Sequence, residues 1–203
     1  MTQDELFDQL KHPNPHLRER AMWEIADLKD ESTIPRLMAN LGEEDVVYRR
    51  ASVKALGVIG TETVAPLVDV LLGDDDVTTR ASALKALTQV VVRHPETPMP
   101  QIGMDALKTS LNDANPVVYV ASVMTLGEIG APAFGILSDA LKTTDNEALA
   151  VAIVNAMPNI GDDRAKETLE TYIKEAPEDS YSSEVAKSAL SRLSLIQNNQ
   201  PPS

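Results

Sequence analysis

His12 and His16 stand four residues apart in the segment HPNPH, a spacing that on a helix lets two imidazoles grip one metal ion. Two prolines and Asn14 interrupt that geometry, because Asn14 reads as a helix cap and the histidines then fall on a turn. No third ligand is placed by the sequence, so a turn whose histidines contact a ligand is expected and a metal site is not. Arg18 follows Asn14 by four residues, and Arg49 and Arg80 follow Asp45 and Asp76 by the same step. Such a ladder could hold the carboxylates of a ligand. Positions 49, 52, 53 and 56 share one helical face, however, which favours arginines that tie cap aspartates or neighbouring repeats. The fourth member of the ladder is Tyr119.

Trp23 is the only tryptophan, and its equivalents further along are Lys54, Lys85, Met124 and Asn155, types that mostly seek water. A terminal repeat can fold its capping helix over such a ring, the favoured reading; otherwise the indole is a contact anchor. One turn earlier the same face reads Glu19, Arg50, Ala81, Val120 and Val151, changing from charged to apolar along the chain. His94, in a proline-rich stretch, suggests no chemistry. There is no cysteine, which removes thiolate nucleophiles, thiolate metal sites and disulfides. A glycine-rich phosphate loop, a nucleophile elbow and a zincin motif are all lacking.

The elements that position these residues are repeats. Aligning residues 49–60 (RRASVKALGVIG), 120–130 (VASVMTLGEIG) and 152–161 (AIVNAMPNIG) brings Ile25, Leu56, Leu87, Leu126, Met157 and Leu190 into one column. The same offsets return Asn14, Asp45, Asp76, Asn115, Asn146 and Asp179, an Asx residue at each predicted helix start, followed by proline at Pro15 and Pro116. Acidic clusters such as Asp74-Asp75-Asp76 then serve as caps and favourable charge at helix N-termini. Each unit breaks at a glycine (Gly60, Gly130, Gly161) and enters a second helix ending in paired leucines, for example Leu67 and Leu71. The pattern predicts an all-α, right-handed α-solenoid of five to six short HEAT-like helical repeats, opened by a capping helix over residues 2–11. Residues 1–196 are expected to form a single stack without a domain boundary, with residues 197–203 (QNNQPPS) a disordered tail. The third repeat spacing is eight residues longer than the first two, and the extra length falls around residues 93–101, where three prolines predict a loop or a bent connection.

Composition narrows the function further. With 31 acidic and 18 basic side chains the 203 residues carry a net charge of −13, with acid in excess in both halves, which opposes nucleic acid as a partner. The uncharged stretches are too short to cross a membrane, and the opening residues carry no export signal, so a cytoplasmic location is expected.

Units of about 31 residues with Asx, then Arg or Tyr, then Ala-Leu-Gly-x-Ile-Gly resemble the short HEAT-like repeats of the phycobilin lyase family. The resemblance spans residues 1 to about 195 and is carried by LKHPNPHLRERAMWEIA (10–26), EEDVVYRRASVKALGVIGTETVAPLV (43–68) and NDANPVVYVASVMTLGEIGAPAF (112–134). Within that family the chain is most similar to the smaller, chaperone-like subunit associated with phycoerythrobilin attachment to phycoerythrin. The resemblance implies an accessory subunit rather than a self-sufficient catalyst, no permanently bound cofactor, and a transient phycobilin. It implies as partners a phycoerythrin subunit and a larger HEAT-repeat bilin lyase subunit. A bilin site needs an aromatic wall, cations for the propionates and a carboxylate near the pyrrole nitrogens; His12, His16, Arg18, Arg20, Trp23 and Glu24 of the first repeat are the residues on offer. The competing expectation is a protein-binding scaffold with no bilin. A di-iron hydroxylase on similar repeats would show recurring His-Glu pairs, and no His-Glu dipeptide occurs.

Overall fold

The computed structural model describes residues 1–177 and 180–198, among which lie twelve α-helices, four 3-10 turns and no strand. The helices group into two compact units, Met1–Ala106 and Leu107–Ser203. The first unit contains α1 (Gln3–Gln9), α2 (Pro15–Asp27), α3 (Thr33–Ala39), α4 (Val46–Ile59), α5 (Val64–Gly73) and α6 (Val77–Arg93). The division falls within α7 (Gln101–Ser110), and the second unit continues with α8 (Pro116–Ile129), α9 (Phe134–Thr143), α10 (Glu147–Ala156), α11 (Ala165–Glu175) and α12 (Tyr181–Asn198).

The Asx column starts five helices as expected. Asn14 Oδ1 accepts from the His16 N–H (3.0 Å), Asp45 Oδ1 from Val47 (2.8 Å), Asp76 Oδ2 from Thr79 (2.7 Å), Asn115 Oδ1 from Val117 (2.9 Å) and Asn146 Oδ1 from Ala148 (3.0 Å). Each bond satisfies a backbone donor that the helix itself cannot pair. Asp179, the sixth expected cap, lies outside the described residues.

These helices then present one apolar stripe inward. In the first unit α2 packs on α4 and α4 on α6; in the second, α8 packs on α10 and α10 on α12. Ile25, Leu56, Leu87, Leu126 and Met157 are completely buried. Leu190 departs from this column: it is half-buried, and Ala186, Ala189 and Leu193 point inward from α12 instead. That helix is therefore rotated by one residue relative to the repeat register. It runs to Asn198, and residues 199–203, the rest of the expected tail, lie outside the described residues.

Two glycines set how the first helices end and pack. Gly60 has φ +91°, a left-handed value that lets the chain leave α4, and Gly57 lies where a Cβ would meet Gln89 Cβ at 2.3 Å. The missing side chain is what brings α6 against α4.

Candidate binding site

The arginine ladder proves to be a tie for inter-repeat turns. Arg18 Nη1 donates to the carbonyl oxygens of His12 (2.5 Å) and Pro13 (2.9 Å), and Arg80 Nη1 to those of Asp74 (2.9 Å) and Asp75 (3.0 Å). Arg49 Nη1 reaches the Glu43 carbonyl in the same way. These acceptors are backbone oxygens five or six residues upstream, so each arginine closes the turn that precedes its own helix, and the charge of Arg80 also favours the ionised form of its cap, Asp76. Tyr119 is buried at the equivalent place.

The other residues of the first repeat separate into two groups. His12 is folded into the turn, its Nδ1 accepting from the Asn14 N–H at 3.0 Å, while His16 is exposed. Arg20 and Glu24 form an i,i+4 ion pair (Nε to Oε1, 2.6 Å) on the surface of α2. Trp23 is 49% exposed, which corrects the favoured expectation that the capping helix would cover it. Its partner comes from α6: the guanidinium of Arg93 lies 5.7 Å from the indole centroid, within cation–π reach. The turn thus engages His12 and Arg18 and the ion pair engages Arg20 and Glu24, while His16 and Trp23 stand exposed.

Beside this pair a groove of about 310 Å³ runs between α2 and α4. Arg18, Glu19 and Met22 form one wall, Arg50 and Lys54 the other, and Arg93 enters from α6. Arg50, Lys54 and Arg93 were not singled out as site residues from the sequence. The signal for the first two was their place in the Glu19 and Trp23 columns; Arg93 gave none. The corresponding space between α8 and α10 in the second unit is larger, about 520 Å³, and is lined by Val120, Val123, Met124, Ala152 and Ala156 with Glu128 as its one charge.

A profile of HEAT repeats matches residues 4–88 and 104–191, most of the chain. The chain belongs to the HEAT-repeat proteins. Among them it is 52% identical over 196 residues to an uncharacterised phycocyanin operon protein Z of Pseudanabaena tenuis, covering 97% of both chains. It is also 35% identical over 97 residues to the bilin biosynthesis protein CpeZ of Synechococcus sp., covering 48% of this chain and 52% of that one. This HEAT-repeat protein is therefore a relative of proteins named for bilin biosynthesis and for the phycocyanin operon.

Solved structures share its fold. The complex of CpcE and CpcF of phycocyanin lyase from Nostoc sp. aligns with a TM-score of 0.51 at 20% identity, over 76% of this chain and 96% of that one. Human deoxyhypusine hydroxylase aligns with a TM-score of 0.53 at 15% identity, over 95% and 84%. At such identities the likeness is one of HEAT-repeat architecture. Among the described residues no group of three or more His, Asp or Glu side chains is placed to hold a metal ion, and no single helix is long and apolar enough to cross a membrane.

Proposed function

We propose that this HEAT-repeat protein is an accessory, chaperone-like subunit of a bilin lyase, which assists covalent attachment of phycoerythrobilin to a cysteine of a phycoerythrin subunit alongside a larger HEAT-repeat lyase subunit. In that reaction the acceptor's thiol adds across a bilin double bond, sulfur bonding one carbon and the proton ending on the other. The thiol belongs to the antenna protein, and a helper without cysteine offers no competing nucleophile. Its contribution is to hold an extended tetrapyrrole in one orientation, which lowers the entropic part of the barrier.

The observation that carries this reading is Trp23, an exposed indole braced by Arg93 in the segment that most resembles the family. A flat conjugated ligand gains most from such a surface, since aromatic faces stack without demanding a particular hydrogen-bond pattern. Exposed His16 lies in the same repeat and offers a further polar contact. The bilin is transient here, passed on to the acceptor rather than retained.

Co-expression of a phycoerythrin subunit, a phycoerythrobilin supply and the larger lyase subunit, with each component omitted in turn, tests the reading. Chromophorylated antenna protein is expected to fall when this chain is left out. Full yield without it overturns the proposal.

One observation favours a second reading, a scaffold that binds protein and no bilin. Helix α8 carries a single charge in PVVYVASVMTLGEI, and Val117 and Met124 stand exposed on it, Met124 beside the space shared with α10. A colourless complex with a folded partner, recovered from a bilin-producing host, supports the scaffold.

A further inference from the structure

Eight of the 18 cations of this acidic chain are held by ion pairs or by turn carbonyls. Arg20 pairs with Glu24, Lys29 with Glu62, Arg36 with Asp4, Arg164 with Asp162 and Lys187 with Glu184. Arg18, Arg49 and Arg80 are spent on turn carbonyls. Arg50 and Lys54 make no ion pair among the described residues, and Arg93 has only a long bond to Gln89 Oε1 (3.4 Å) and its stack on Trp23. These three cations line one groove, in which Glu19 is the only carboxylate.

On a chain of net charge −13, a groove lined by Arg50, Lys54 and Arg93 with Glu19 as its one carboxylate is a local patch of positive charge that attracts an anion. We propose that the groove between α2 and α4 binds the two carboxylate arms of a flat dianionic ligand, with Arg50, Lys54 and Arg93 as counter-charges and Trp23 as the wall for its conjugated body. Size fits the division of labour: about 310 Å³ holds two short acid arms, and the remainder of a linear tetrapyrrole lies across the open indole. Arg93 links the two parts, since it lines the groove and also faces the ring. Arg50 and Arg93 can each grip a carboxylate with two N–H groups, and Lys54 supplies a point charge in the same groove. The ligand class rests on the reading of the chain as a bilin-handling protein; the anion site rests on the groove.

Equilibrium binding of biliverdin IXα and of its dimethyl ester to the purified full chain tests this, followed by absorbance and induced circular dichroism. The diacid is expected to bind at least about tenfold more tightly than the ester and to weaken as salt rises. The paired substitution Arg50→Gln with Lys54→Gln should weaken the diacid by about ten- to hundredfold, leave the ester unchanged and leave the melting temperature close to that of the parent. Equal binding of diacid and ester overturns the proposal, as does equal weakening of both in the paired variant. Loss of phycoerythrin-subunit capture with diacid binding unchanged assigns the groove to an acidic protein surface and overturns it as well. Should the parent bind neither bilin while antenna chromophorylation still depends on the chain, the site fails and the accessory role stands. Diacid binding with no effect on chromophorylation gives the reverse.

Discussion

The imidazole Nε2 of His94 lies 3.0 Å from the carbonyl oxygen of Gly57, and 3.2 Å from that of Val58, at the far end of α4. Both acceptors are carbonyls, so Nε2 carries the proton and donates. It satisfies groups that the last turn of a helix leaves unpaired, and it pins the end of α6 to α4 one residue after Arg93. His94→Ala is expected to cost about 0.5–1.5 kcal/mol through the lost hydrogen bond. Because Trp23 is the only tryptophan, its fluorescence reports the neighbouring cation directly. His94→Ala and Arg93→Ala should shift its emission in the same sense and raise its quenching by acrylamide. Emission identical to the parent in both variants would sever His94 from the placement of Arg93.

Two glycines at equivalent repeat positions should respond in opposite directions to alanine. A Cβ on Gly57 meets Gln89 Cβ at 2.3 Å and the Gln89 carbonyl carbon at 3.1 Å, so α6 must move; a Cβ on Gly127 meets only Ala156 Cβ at an ordinary 3.6 Å. Gly57→Ala is expected to destabilise by about 1–3 kcal/mol. Gly127→Ala should be neutral or stabilise by up to about 1 kcal/mol, because alanine loses less backbone freedom in a helix. Urea titrations of the two variants decide the matter, and a similar midpoint shift in both would contradict the packing.

The cap of α6 makes part of the stability pH-dependent. The Asp76 carboxyl is held below the usual carboxylate range, first by the Thr79 backbone N–H and then by the Thr79 hydroxyl, at 2.7 and 2.8 Å. A depressed native pKa means that the unfolded chain takes up protons first on acidification. The cap's contribution is thus complete above the unfolded carboxylate pKa, roughly 4, and is lost as pH falls through the lower native value. Asp76→Ala should melt earlier than the parent at pH 7, with the gap closing as the pH drops below about 4. A gap that stays constant over that range removes the charge from the explanation. For Asp45→Ala, whose carboxylate bonds the Val47 and Tyr48 N–H groups, the expected cost is about 0.5–2 kcal/mol.

The parts of this molecule that could be read from sequence are those governed by neighbours a few residues away. An Asx at a helix start bonds a donor two or three positions on, so Asn14, Asp45, Asp76, Asn115 and Asn146 announced themselves. The buried column from Ile25 to Met157 followed from helical spacing alone. Leu190 slipped because the register of α12 answers to packing on α10 and α11, which the repeat offset does not encode. The arginine ladder was recognisable as structural from its shared face with the core column, yet its acceptors are carbonyls, a group every residue carries and none advertises. Trp23 stood out through its column, while the residue that completes its environment did not. Arg93 lies seventy positions away and reaches the indole because α6, at 17 residues, outruns the 14 of α4.

The sharpest separation of site from scaffold comes from Trp23 and Leu56. Leu56 is completely buried, so Leu56→Ala removes core volume and should cost about 2–5 kcal/mol. Trp23 leaves half its surface in water, so Trp23→Ala should lower the melting temperature far less while reducing chromophorylated antenna yield more. Arg20→Glu adds a graded control. It replaces the 2.6 Å pair with Glu24 by a like-charge contact on the exposed side of α2, at a cost of under about 1 kcal/mol, and a ligand resting on that face would feel the reversed charge. Melting temperature and yield measured on the same preparations place each variant on one axis or the other. If Trp23→Ala melts as early as Leu56→Ala and the protein that remains folded still supports full yield, the indole is a packing residue and the ligand must bind elsewhere.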